Sequence, residues 1–180
     1  MVEAFMKPEF APDPRVEAAE RSLDAAREAA GRDYLVALNR LGLEPDVLCW
    51  AYDVDADEMQ LAIVTSMAER VESLSIYKLL FRAYEAAATP REIDPFIVSV
   101  YGPKSDFGVK LRRFLGGLAQ RGTFSTPERA ARFVMTDTGA SGRLVVLGKG
   151  VYVATEGRRT AAEDLRRFMS FERRVQALAA

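Results

Sequence analysis

Val47-Leu48-Cys49-Trp50-Ala51-Tyr52-Asp53 and Met59-Gln60-Leu61-Ala62-Ile63-Val64-Thr65 flank the acidic turn Val54-Asp55-Ala56-Asp57-Glu58. Both runs are rich in β-branched and aromatic residues, and the segment between them is made of turn formers. The whole stretch predicts a β-hairpin. Helical patterns lie on both sides of it, so the chain must combine a sheet with several helices.

Upstream, residues 1–12 carry Pro8 and Pro12 and read as an irregular segment. Asp13 can cap a helix that has Pro14 at its first position, where the missing N–H costs nothing. The helical pattern runs to Leu41, and Gly42 is a natural stop. Unbroken, residues 14–41 would form a rod of about 42 Å, longer than a small domain is wide. Its first half is alanine-rich with few large apolar residues, so it is expected to project and pack on another chain.

Downstream, Ser66 and Glu69 match a capping box. Met67, Val71, Leu74, Tyr77, Phe81, Tyr84 and Ala88 then recur at spacings of three and four, which predicts a central core helix ended by Pro90. Phe96–Tyr101 reads as a short strand broken by Gly102-Pro103. A basic amphipathic helix is expected over 105–119 and a short one from Ser125 to about Phe133 or Met135. Thr136–Gly142 reads as a loop. Leu144–Leu147 and Val151–Ala154 around Gly148-Lys149-Gly150 predict a second hairpin. Thr160 and Glu163 offer another capping box, for a last helix reaching about Leu178. The expected fold is α+β: a mixed or antiparallel sheet of about five strands packed by several helices, with a long N-terminal helix and one domain over 13–180.

The composition is that of a globular chain of 180 residues, 49% hydrophobic and 28% charged. No apolar run is long enough to cross a membrane, and no secretory leader is evident. The lone Cys49 sits in an apolar strand pattern and fits a reducing compartment, so a cytoplasmic location is expected. The chain has no histidine. Without imidazole there is no Ser-His-Asp or Cys-His arrangement, and one cysteine cannot build a thiolate metal site. No catalytic set is found and no cofactor is implied.

The remaining signals are carboxylates and arginines. Asp53, Asp55 and Asp57 are spaced like the start of a calcium loop, but Glu58 and Val64 stand where that loop needs glycine and glutamate. A solvated hairpin tip explains them, and a divalent-metal site is the functional alternative. Lys104 and Ser105 follow a strand and open a helix, a place where backbone N–H groups can hold an anion. Ser75-Ile76-Tyr77-Lys78 matches S-x-x-K in letters only, lying inside a helix with no K-T-G element after it.

Charge is unevenly divided. Residues 1–100 hold 10 Lys/Arg against 19 Asp/Glu, and residues 101–180 hold 15 against 7. Arg112, Arg113, Arg129 and Arg132 lie on or near two consecutive helices, and Arg166, Arg167, Arg173 and Arg174 on the last. Together they could neutralise phosphates.

Three functions are therefore expected in turn. The first is a non-enzymatic interaction or accessory protein that self-associates through its N-terminal helix. The second is a protein using its basic C-terminal half to bind nucleic acid; the expected partners are a second copy of the chain, nucleic acid or an acidic protein. The third is a metal-dependent enzyme working through carboxylates.

Overall fold

The computed structural model describes residues 14–120, 134–137, 144–154 and 159–179. The hairpin forms as its sequence predicts. Strands β1 (Val47–Asp53) and β2 (Glu58–Val64) pair antiparallel, with Val47 opposite Val64 and Asp53 opposite Glu58. Asp53 closes the turn by accepting hydrogen bonds from the amides of Asp55 at 2.9 Å and Ala56 at 3.0 Å. This is the backbone-mimicking role for which aspartate is favoured in turns.

Strand β1 is central. On its other side runs β5 (Leu144–Ala154), antiparallel, followed by the short β4 (Val134–Asp137); beyond β2 lies β3 (Val98–Tyr101), parallel to it. The order is β3-β2-β1-β5-β4, a mixed sheet. Every residue of β1 from Val47 to Tyr52 is buried, because both faces of the sheet are covered.

The side chains alternate between two cores. Leu48, Trp50 and Tyr52 face a layer built from α1 (Pro14–Ser22), α2 (Ala25–Leu41), α3 (Ser73–Glu85) and α5 (Ala161–Gln176). Val47, Cys49 and Ala51 face α4 (Asp106–Gln120), which contributes Phe107, Leu111 and Leu115. Among the described residues no helix is long and apolar enough to cross a membrane. The fold is α+β, as expected.

Four local expectations are corrected. The long N-terminal helix is two short ones. Asp24 breaks the run in an extended conformation and caps α2, its carboxylate accepting from the Arg27 amide at 2.8 Å. Nor does α1 project: Ala19 and Leu23 are buried in the main core. The reason is that two helices joined at a corner can both lie on the sheet, whereas one straight rod could not.

The Ser66–Glu69 segment is a 3₁₀ turn and not the start of the core helix, which begins at Ser73. Its capping-box partners are drawn to tertiary contacts instead. Ser66 bonds Asp164, and Glu69 accepts the Lys104 amide at 2.7 Å.

The second hairpin is a single strand. Gly148-Lys149-Gly150 runs within β5 at a register shift against β1. The glycines serve a bulge and not a turn. A side chain at Gly150 would come within 2.8 Å of Leu23 and 3.1 Å of Trp50. The bulge sends Lys149 to the α1–α2 corner, where its ammonium donates to the Leu23 carbonyl at 2.7 Å and pairs with Glu28 at 3.4 Å.

Finally, Thr136 and Asp137, expected in a loop, belong to β4. The expected set of about five strands is thus not matched strand for strand. The irregular segment 1–12 and residues 125–133 of the expected short helix lie outside the described residues, and its expected end at Met135 falls instead in β4.

Candidate anion-binding cleft

The site is organised by α5. Its first turn carries the expected capping box: the Thr160 hydroxyl accepts from the Glu163 amide at 3.2 Å, and the Glu163 carboxylate accepts from the Thr160 amide at 2.6 Å. These bonds from Thr160 hold the Glu163 carboxyl below its usual range. Phe171 and Val175 anchor the helix in the core.

Beside this apolar anchor is a polar knot. Asp164 is 1% exposed, and its carboxylate accepts from the Ser66 hydroxyl at 2.5 Å and from Arg167 at 3.2 Å. Asp46, also buried, accepts from the Ser66 amide at 2.6 Å and from Arg159 at 2.5 Å. Arg167 donates to the carbonyls of Leu43 and Glu44. Two carboxylates and two guanidinium groups therefore clamp α5 to the α2–β1 loop and the β2–α3 turn. Burial, then the charge of Arg159, push the Arg167 pKa down, while Asp46, Asp164 and Glu44 hold it up.

Outside the knot, Arg166, Ser170 and Arg174 form an i, i+4, i+8 row along α5. With Gly42, Glu44, Arg159, Glu163 and Arg167 they line an open cleft of about 440 Å³. Gly42 closes α2 in the left-handed conformation at φ 91°, its amide returning to Asn39 and Leu38. A Cβ there would sit 3.4 Å from the Ser170 hydroxyl and 3.7 Å from the Arg174 guanidinium, so glycine leaves this floor open. Arg174 also donates to the Arg40 carbonyl at the end of α2, where the helix dipole favours a cation. Arg166 donates to Ala162 in its own helix at 3.3 Å. Neither arginine has a carboxylate within ion-pair distance among the described residues. Each guanidinium retains further N–H donors that can meet an anion.

The other sequence candidates are dispersed. Arg173 is exposed on α5, outside the cleft lining. Arg112 and Arg113 are exposed on α4, and Arg112 donates to the Pro103 carbonyl at 3.0 Å. Helix α4 covers the opposite face of the sheet from α5, so the two arginine sets do not share a surface. Arg129 and Arg132 lie outside the described residues.

Lys104 and Ser105 do open a helix. However, Glu69 already supplies the anion, taking the Lys104 amide and pairing with its ammonium at 3.0 Å, and the Ser105 hydroxyl accepts the Gly108 amide at 3.1 Å. Asp53 is engaged in its own turn, and Asp57 accepts the Tyr52 hydroxyl. Among the described residues no group of three or more potential ligands is placed to hold a metal ion. Cys49 is fully buried, and burial pushes its thiol up to about 12. It is a core residue rather than a nucleophile.

Sequence reading singled out the arginines of α5 but missed Gly42, Glu44 and Ser170. Gly42 was legible only as a helix stop. Glu44 and Ser170 carry no local signal, because the contacts that make them a site span more than a hundred residues of chain. No protein-family model matches the chain, and no curated protein or solved structure matches it.

Proposed function

We propose that this chain is an interaction protein that binds an acidic segment of a partner protein through α5. One observation carries the reading: the Arg166–Ser170–Arg174 row borders an open cleft, while Leu165 and Met169 beside it are 50% and 54% exposed. Arginine and methionine are enriched where proteins meet, and basic donors next to an apolar pair suit a segment that mixes carboxylates with hydrophobic residues. Nucleic acid fits less well. The apolar pair would have no role, and Arg112 and Arg113 lie across the sheet. Self-association through α1 is also less favoured. Ala19 of α1 and Leu23 just after it are spent on the chain's own core, and Glu17, Glu20 and Arg21 are exposed.

The test is fluorescence anisotropy with a labelled glutamate-rich peptide carrying leucines, run beside a single-stranded oligonucleotide at low and physiological salt. The peptide should bind, and the double variant R166A/R174A should weaken it about tenfold or more, equivalent to about 1.4 kcal/mol. Absence of peptide binding at low salt, or binding indifferent to the double variant, would overturn the proposal. Oligonucleotide binding lost in the same variant, with the peptide silent, would establish nucleic acid as the ligand instead.

A further inference from the structure

Glu44 occupies an unusual position. It has φ 46°, a left-handed conformation that glutamate seldom adopts. This backbone turns its own carbonyl and that of Leu43 toward Arg167, and its carbonyl also accepts from Arg159 at 3.3 Å. The side chain, 55% exposed, stands at the rim of the cleft with a carboxylate oxygen 3.8 Å from Arg167 Nε. That distance is an ion pair but too long for a hydrogen bond. Arg167 Nε is buried and has no hydrogen-bond partner among the described residues. The cleft thus contains one carboxylate held loosely beside arginines and one arginine donor left unpaired.

We infer that Glu44 is a built-in competitor: its carboxylate screens the arginine cleft in the free protein and gives way to the carboxylate of a bound partner. This rests on the reading of the cleft as the docking site for an acidic segment. Binding is then an exchange of one carboxylate for another beside Arg167, while Arg166 and Arg174 stay open to the partner. Non-partners carrying a single weak acid are rejected, and only a segment that also engages Arg166 and Arg174 displaces the internal acid. The competitor is specific to the side-chain charge, because the two carbonyls that bond Arg159 and Arg167 belong to the backbone and stay in place.

The experiment compares wild type, Glu44→Gln and Glu44→Asn against the same labelled glutamate-rich peptide. Glutamine removes the charge and keeps the length; asparagine removes the charge and tolerates the left-handed backbone. Both should bind the peptide about three- to tenfold tighter at low salt, the gain shrinking as salt screens it. Unchanged or weaker affinity in Glu44→Gln, with wild-type binding still lost in R166A/R174A, overturns the competitor and leaves the docking cleft standing. A gain confined to Glu44→Asn would assign the effect to backbone relief and overturn it as well. If wild type and both variants are all silent at low salt, the cleft itself is not the docking site and the competitor falls with it.

Discussion

Ser66 donates its hydroxyl to Asp164 at 2.5 Å, tying the turn after β2 to the first turn of α5 across 98 positions of sequence. Asp164, 1% exposed to solvent, also receives Arg167 of the same helix, which in turn bonds the α2–β1 loop, so three segments meet at this point. Removing one member of a buried charged set leaves the others unpaired, which costs more than the set itself contributes. Asp164→Ala should therefore lower stability by about 3 kcal/mol, and Ser66→Ala by about 1 kcal/mol. Urea denaturation monitored by circular dichroism reads both. A loss at Asp164 no larger than at Ser66 would mean that the knot does not hold α5 in place.

Tyr34 is the reverse case. Its ring is buried in the main core, and its hydroxyl has no hydrogen-bond partner among the described residues. Burial alone pushes that hydroxyl's pKa upward. A buried donor without a partner is a cost, so Tyr34→Phe should leave stability unchanged or raise it by up to about 1 kcal/mol. The same denaturation experiment applies. A loss of 1 kcal/mol or more would place a partner on that oxygen.

Glu163 predicts a pH dependence. Its carboxyl titrates lower in the folded chain than in the unfolded one, because Thr160 donates to the ionised form. At acid pH the unfolded chain therefore binds more protons, and stability falls with pH. The contribution is complete above the ordinary carboxylate range and is lost as pH falls through the folded value. Glu163→Gln keeps a capping oxygen but not the charge. Its Tm should lie below wild type at pH 7, with the gap closing toward pH 3. A gap that stays constant over that range would show that ionisation of Glu163 is not involved.

The elements legible in sequence share one property: each is stabilised by residues close to it in the chain. The Asp53 turn bonds amides two and three residues ahead. Thr160 and Glu163 cap each other, and Gly42 ends α2 because the left-handed position favours glycine. The misread elements had two local solutions with similar signals. An alanine-rich run hid the Asp24 cap, which accepts the Arg27 amide. Gly-Lys-Gly looks like a turn between strands, but beside Trp50 and Leu23 its glycines relieve crowding within one strand. Ser66 and Glu69 had a capping box available and found stronger partners in Asp164 and Lys104.

For the candidate site the division is sharper. Sequence by itself determined that α5 is a basic, capped amphipathic helix, because its period of 3.6 and its Thr160–Glu163 box are local facts. It also determined that any chemistry here proceeds without histidine. Only the tertiary structure decided which arginines remain available. Arg159 and Arg167 are consumed by Asp46, Asp164 and the carbonyls of the α2–β1 loop, whereas Arg166 and Arg174 face an open cleft floored by Gly42. The physical reason is that a guanidinium's free donors depend on every acceptor within about 3 Å. Apart from Asp164, three residues before Arg167, those acceptors come from segments more than a hundred residues away, which no local pattern records.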